Sequence, residues 1–303
     1  MLKYAAKRIM LAIVTVFIIM VVTFFAMNAI PGGPFDKEKA PDPAVRLMLE
    51  KRFHLDKPVL QQFFIYTGNL LRGDFGVSLK TGREVSTTIF ESFSISARLG
   101  GISVLVALTF GLILGSTAAL TRNKLPDQLI MFFTTLSVGV PSFVLGTVLL
   151  LVFSLILKWV PVWSIANQNY ILPVIALSLY PMAHVTRLTK SSMLDVLGQD
   201  YIRTARAKGV RPSLVIFKHA LRNALIPVVT YIGPLTAYSL TGSMVVETIF
   251  TIGGLGTKFV TSINNRDYPV IMGTTIFLAV LMVIMTLISD LMYSAVDPRI
   301  SFD

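Results

Sequence analysis

Hydrophobic positions in this chain gather into long runs, and polar positions gather between them. Several runs exceed ~18 residues, the length that reads as a membrane-spanning helix. The pattern predicts six spans: Ile9 to Ile30, Leu99 to Leu120, Gln128 to Leu157, Ile171 to Val185, Leu225 to Val246 and Pro269 to Tyr293. The first closes at Pro31-Gly32-Gly33-Pro34, the third holds Pro141, and the short fourth holds Pro173, Pro181 and His184. Lipid offers backbone groups no partner, so each span is expected as a helix and the fold class as all-α, integral to a membrane. Lys3, Lys7 and Arg8 before the first run resemble the flank of a signal peptide. That run, however, is about twice the usual length of such a core and ends at Pro31, so it is read as a retained anchor.

Between the first two spans the pattern changes to helical amphipathicity. Asp42-Pro43 reads as a cap with a first-turn proline. Val45, Met48, Leu49, Arg52 and Phe53 then recur at helical spacing. Further runs follow, one with Leu60, Phe63, Phe64 and Leu71, another with Val85, Ile89 and Phe93 on one face. A small external helical segment is expected, either as a cap on the outer bundle or as a landing surface for a partner.

Composition supports this picture. The 303 residues are 54% hydrophobic and 14% charged, against about a quarter charged in soluble domains. A water-soluble enzyme is thereby excluded. The absence of cysteine excludes disulfides, thiolate metal sites and cysteine nucleophiles. A net charge of +11 would suggest nucleic acid in a soluble protein, but in a membrane protein its distribution reports topology. Basic residues gather at the N-terminus, at Arg122 and Lys124, and at Arg187, Lys190, Arg203, Arg206, Lys208, Arg211, Lys218 and Arg222. The expected orientation places both termini and the 187–224 loop in the cytoplasm, and no nucleic-acid partner is expected.

The spans are poor in chemistry. The first three hold no ionisable residue; beyond them stand His184, Glu247 near the end of the fifth and Asp290 in the sixth. An ion-coupled carrier would place carboxylates or broken helices at the midplane. Gly253-Gly254-Leu255-Gly256-Thr257-Lys258 has the wrong order for a phosphate loop, and His54, His184 and His219 are scattered. No catalytic residue, metal site or cofactor is expected on this chain.

The 187–224 loop is the most informative stretch. Gly198 can end one helix, Asp200 can cap a short helix Tyr201 to Lys208, and Gly209 can stop it before Pro212 opens another. Leu197, Tyr201 and Ala205 form a narrow apolar stripe with Arg203 and Arg206 off it. Two readings fit: an interfacial helix on anionic lipid, or a docking helix whose Tyr201 and Ala205 enter a groove on a cytosolic partner.

The wording of this loop resembles a known family. Asp200-Tyr-Ile-Arg-Thr-Ala-Arg-Ala-Lys-Gly209, followed by His219-Ala-Leu-Arg-Asn-Ala-Leu-Ile-Pro227, is similar to the EAA-type coupling loop of ABC importer permeases. The branch it resembles is the B-type permease subunit of dipeptide and oligopeptide (Opp/Dpp) importers. Leu70-Leu-Arg-Gly-Asp-Phe-Gly76, Val140-Pro-Ser-Phe143, Val246-Glu-Thr-Ile-Phe250, Asn265-Arg-Asp-Tyr-Pro269 and Asp297-Pro-Arg-Ile300 agree in order and spacing. Arg203 departs from the acidic start of the generic loop, and His219-Ala220-Leu221-Arg222 from its Ile-x-Leu-Pro, while the peptide-importer branch shares both; Gly33 stands where that branch commonly has aspartate.

The resemblance implies a type I ABC importer permease fold with six transmembrane helices. It implies an N-terminal region 1–98 with the external subdomain, and a permease core 99–300. Coupling would fall to Tyr201, Ile202, Arg203, Thr204, Ala205, Arg206, Ala207, Lys208 and Gly209. Its implied partners are a second homologous permease, two cytosolic ATPases carrying ATP and Mg, an external peptide-binding protein and membrane lipid. Ser137, Ser142, Thr230 and Thr241 are candidates for the translocation path, although each hydroxyl can bond within its own helix. An ion-coupled secondary transporter and a non-transporting membrane scaffold remain as alternatives.

Overall fold

In the computed structural model of the protein, residues 2–31, 33–35, 43–240 and 244–296 are described, with side chains at 8–31, 33–35, 47, 48, 50–240 and 244–289. Asp42, Thr241 and the Asp297–Ile300 motif lie outside the described residues, as do the side chains of Val45, Leu49 and Asp290.

The chain is helical nearly throughout. In order come α1 (Leu2–Ala29), α2 (Pro43–Arg52), α3 (Val59–Leu70), α4 (Val85–Leu120), α5 (Leu125–Gly139) and α6 (Ser142–Leu149), the last continued by a π-helical stretch Leu150–Ile156. Then follow α7 (Ile171–Leu197), α8 (Asp200–Ala207), α9 (Pro212–Leu214), a second π-helical stretch Val215–Leu221, α10 (Arg222–Ala224) and α11 (Ile226–Leu240). The series closes with α12 (Met244–Ile249), α13 (Leu255–Asn265) and α14 (Tyr268–Val296).

Among the described residues, four helices are long and apolar enough to cross a membrane: Arg8–Ala29, Val85–Leu120, Ile171–Leu197 and Tyr268–Ser289. Two bent pairs, Leu125–Gly139 with Ser142–Ile156 and Pro212–Ala224 with Ile226–Ile249, bring the number to six if each pair is one crossing. The third run is therefore not the single helix that hydropathy predicts, because its two arms meet at 103°. Pro141 lacks an N–H and forces its predecessor out of the helical region. Val140 accordingly sits at φ −90°, ψ 122°.

Two other runs are longer than predicted. The amphipathic stretch from Val85 and the span from Leu99 fuse into one helix of 36 residues, about 54 Å at ~1.5 Å per residue. The short fourth run becomes α7, with 27 residues.

The chain divides into two compact units: residues 1–96 with 253–283, and residues 97–252 with 284–303. In the first, Met20, Phe24 and Met27 of α1 pack with Phe63 of α3 and with Ile271, Met272 and Ile276 of α14. Phe24 and Phe63 meet edge to face with centroids 5.3 Å apart, a favoured aromatic geometry. A second cluster joins Val85 and Ile89 to Leu255 and Val270. Gly273 permits this closeness, since a β-carbon there would stand 2.5 Å from Val85 Cγ1.

In the second unit, Val104, Val185, Val228 and Leu235 form one core. Ala119, Met193, Ile202, Val215, Ala220 and Ala224 form another. Helix α7 is the most buried of the four long apolar helices, with 56% of its apolar window inside. Its tight fit comes from two glycines one turn apart on α4. A β-carbon at Gly111 would stand 2.7 Å from Val185 Cβ, and one at Gly115 2.6 Å from the Thr186 carbonyl oxygen. Small residues at this spacing let helix backbones approach closely.

Candidate functional site

The second unit carries the predicted docking helix. Helix α7 ends at Leu197, and only Gly198 and Gln199 separate it from α8. Gln199, with φ −74° and ψ 151°, is the N-cap residue, and no side chain caps α8. The sequence pattern predicts Asp200 at that position. Instead Asp200 is the first helical residue, and its carboxylate reaches Arg203 Nη1 at 3.4 Å on the exposed surface, where such pairs contribute little.

The far end of α8 closes as anticipated. Gly209 adopts φ +72°, its N–H bonds the Arg206 carbonyl at 3.0 Å, and the Val210 N–H bonds the Ala205 carbonyl at 3.2 Å. These two bonds make a Schellman cap, completed by the apolar residues Val210 and Ala205 packing on the same cluster. Pro212 then opens α9 behind Arg211.

The faces of α8 differ from the predicted stripe. Ile202 is fully buried among Met193, Val215, Ala220 and Ala224. Leu197 and half-buried Ala205 turn toward that same core, so Ala205 takes part in the chain's own packing. Tyr201 is 43% exposed, and its hydroxyl accepts a hydrogen bond from Asn223 Nδ2 at 2.8 Å. Arg203, Thr204, Arg206, Ala207, Lys208 and Gly209 are exposed. The 219–227 motif now has a physical reading: Ala220 and Ala224 are small enough for α8 to lie against them, and Asn223 fixes its tyrosine.

Hydropathy gave no hint of Asp127. This residue, in the first turn of α5, is only 4% exposed. One carboxylate oxygen takes a hydrogen bond from Lys190 Nζ of α7 at 2.5 Å, the other from the Asn123 N–H at 3.0 Å. Lys190, counted from sequence as a loop charge, lies inside α7. Further along, Arg187 Nη2 donates to Thr135 Oγ1 of α5 at 3.0 Å.

Three of the path candidates fall on different elements. Ser137 Oγ of α5 donates to the Phe133 carbonyl at 2.8 Å, and Thr230 Oγ1 of α11 to that of Ile226 at 3.1 Å. Both hydroxyls are satisfied within their own helices. Ser142 is half-buried at the start of α6, and Thr241 lies outside the described residues.

Two of the quoted motifs meet in the first unit. The 70–76 stretch ends α3 and turns through Gly73 and Gly76, at φ +83° and +79°. A tight turn follows, bridged between Val77 and Glu84. The 265–269 stretch leaves α13 through Arg266 at φ +54° and presents buried Asp267 to that turn. Asp267 accepts from Ser78 Oγ at 2.5 Å and from the Leu79 N–H at 3.0 Å. Lys80 Nζ donates to the Pro34 carbonyl at 2.9 Å. Beside this knot lies a cavity of about 330 Å³ whose walls include Phe24, Tyr66, Phe75 and Tyr268. The Tyr66 hydroxyl is buried there without a hydrogen-bond partner. Burial, with a smaller contribution from Asp74, raises its pKa above the usual phenol range. Among the described residues, no cluster of His, Asp and Glu could hold a metal ion.

Comparison with known proteins fits this architecture. The dipeptide transport system permease protein DppB of Bacillus subtilis is 45% identical over 303 residues, covering 99% of this chain and 98% of that protein. The oligopeptide transport system permease protein OppB of Haemophilus influenzae is 40% identical over 306 residues, covering both chains in full. Among solved structures, an amino acid ABC transporter aligns with a TM-score of 0.56 at 14% identity, over 69% of this chain and 94% of that one. The MetNI methionine ABC transporter aligns with a TM-score of 0.53 at 15% identity, over 70% and 97%; these two likenesses concern the fold alone. Residues 1–100 match the N-terminal region of binding-protein-dependent transport system membrane components. Residues 111–302 match the binding-protein-dependent transport system inner membrane component itself, and the chain belongs to that family.

Proposed function

We propose that this chain is a transmembrane subunit of an ATP-driven importer of short peptides, and that α8 is where it meets the ATPase. The observation that carries this reading is the division of α8 into two faces. Ile202 is fully buried in the chain's own core and Ala205 half-buried against it, so Tyr201 and Ala207 are the apolar positions left exposed. A helix lying on lipid needs an apolar face to insert, and α8 has little left to offer. What it presents outward is a short basic surface, Arg203, Thr204, Arg206 and Lys208, on a helix tied down at both ends. That arrangement suits a rigid handle for a soluble partner.

ATP and Mg are held by two cytosolic subunits, a second homologous permease completes the path, and an external binding protein delivers the cargo. Both termini and the 187–224 loop face the cytoplasm, following the basic bias. Residues 1–98 supply the accessory region and 99–300 the translocation core. The names of the dipeptide and oligopeptide permeases at 40% identity and above support peptide cargo.

The exposed face makes a cleaner test than Ala205, whose replacement would damage the core. Arg206→Glu with Lys208→Glu is expected to leave insertion and melting unchanged. ATPase co-purification and ATP-dependent peptide uptake should fall about tenfold or more, as for loss of buried interface charges. Unchanged co-purification would refute the docking role. Peptide uptake driven by an ion gradient with no ATPase present would refute the importer.

A further inference from the structure

We propose that Asp127 and Lys190 are positioning residues that make α5 follow α7 when α8 is displaced. This inference deepens the reading of α8 as a docking helix and rests on it.

The starting point is how little apolar packing α5 has. Of its 15 residues, Asp127 and Thr134 are the buried ones. Leu129, Phe132, Phe133, Leu136 and Val138 are exposed, free to face lipid or a second subunit. Two polar contacts tie α5 to α7: the Asp127–Lys190 pair, with side chains 5% and 19% exposed, and the Arg187–Thr135 bond. The carboxylate is itself fixed by the N–H of Asn123, which stands in the left-handed region at φ +62°. Asp127 therefore presents a set geometry to the lysine.

Such a pair is a poor choice for stability alone. Desolvation cancels much of the attraction in a buried ion pair, and an apolar pair of similar size is often as good. Its use is directional, since a charged pair holds one register and resists sliding. Its location gives that register a purpose. Lys190 lies two turns before the end of α7, and two residues later α8 begins. Asp127 lies at the start of the arm that ends in the 103° bend at Val140-Pro141. Glycines of α4 clasp α7 on another side, so α7 moves as a body. A push on α8 is then carried by α7 and handed to the bent arm through this pair.

The chain has no cysteine, which permits spin labels at exposed Lys124→Cys and Ser191→Cys without further changes. The label distance is read in the reconstituted complex, with and without trapped ATP, beside peptide uptake per ATP hydrolysed. With Asp127 intact, one narrow distance is expected in both states. Asp127→Asn should add a longer population on ATP binding and lower uptake per ATP about tenfold, the scale on which coupling mutations act. Asp127→Lys with Lys190→Asp should recover most of both. A single unchanged distance and an unchanged uptake per ATP in Asp127→Asn would overturn the proposal. So would a loss of uptake that the exchanged pair fails to restore. If the unaltered complex hydrolysed no ATP, the importer reading would fall separately, while label distances in the isolated permease would still decide whether the pair holds α5 to α7.

Discussion

The carboxylate of Asp267 holds the hydroxyl of Ser78 at 2.5 Å, across 189 positions of sequence. Both residues are buried, and the same carboxylate takes the Leu79 N–H. Ser78 Oγ in turn accepts the Thr81 N–H at 3.0 Å, so the serine is a relay between the aspartate and the backbone of the turn. Two sequence motifs far apart in the chain are thus two halves of one joint.

Asp267→Ala would leave the buried Ser78 hydroxyl and the half-buried Leu79 N–H without this acceptor. Each such orphan costs about 1–3 kcal/mol, and the loss should appear as a lower melting temperature in detergent. Asp267→Asn, which keeps an acceptor oxygen, should recover part of it. Protease cleavage within 76–85 should rise with Asp267→Ala if the turn loosens as expected.

Helix α4 supplies its own control for close packing. Gly115→Ala and Gly111→Ala would drive a methyl into α7, and overpacking of this kind costs about 1–3 kcal/mol. Gly101, on the same helix, has open space where its β-carbon would go. Gly101→Ala should therefore melt like the unaltered protein. Equal melting of all three variants would show that α4 and α7 do not depend on the glycines.

Gly209 is a matter of backbone alone. Nothing lies within 4 Å of a β-carbon there, but its φ of +72° is strained for other residues. Gly209→Ala should cost roughly 1–2 kcal/mol, with Gly209→Asn milder, since asparagine tolerates this region. Thermal melting and ATPase co-purification, compared across the two variants, would separate strain from lost contact.

Pro141→Leu should straighten the bend between α5 and α6. Restoring the N–H and freeing Val140 to become helical removes both causes of the break. Labels at exposed Leu129 and Val148 should move apart, and peptide uptake should drop with the complex still assembled. An unchanged distance would mean that surrounding packing, not the proline, holds the angle.

Hydropathy made the long helices legible, because a run such as Met10 to Phe25 has no other low-energy form in lipid. The C-terminal limit of α8 is legible too, since a glycine and a proline mark that side by backbone geometry. The direction of its faces is not. In an eight-residue helix a rotation of only about 100° makes Ile202 and Tyr201 trade places as the inward residue, and the packing against Ala220 and Ala224 decides which. The Asp127–Lys190 pair was hidden for a different reason. Each charge sits near the end of an apolar run, where a solvated residue is the ordinary expectation, and partners 63 positions apart leave no local trace. The run from Val85 to Phe93 leads into the second span in the sequence, but a polar helix face and an apolar one carry different patterns, so their fusion into one helix is not legible from hydropathy alone.

The unit that contains the Ser78–Asp267 joint is assembled from both sides of the other: residues 1–96 and 253–283. Translation therefore delivers its two parts at different times. At ~5–20 residues per second, the turn at Ser78 leaves the ribosome about 10–40 seconds before its aspartate. During that interval α1 and α3 lack the α14 side chains that complete their core, and the hairpin has no acceptor for its buried hydroxyl. A chain truncated before residue 253 should consequently insert its early helices yet remain a substrate for quality-control proteases.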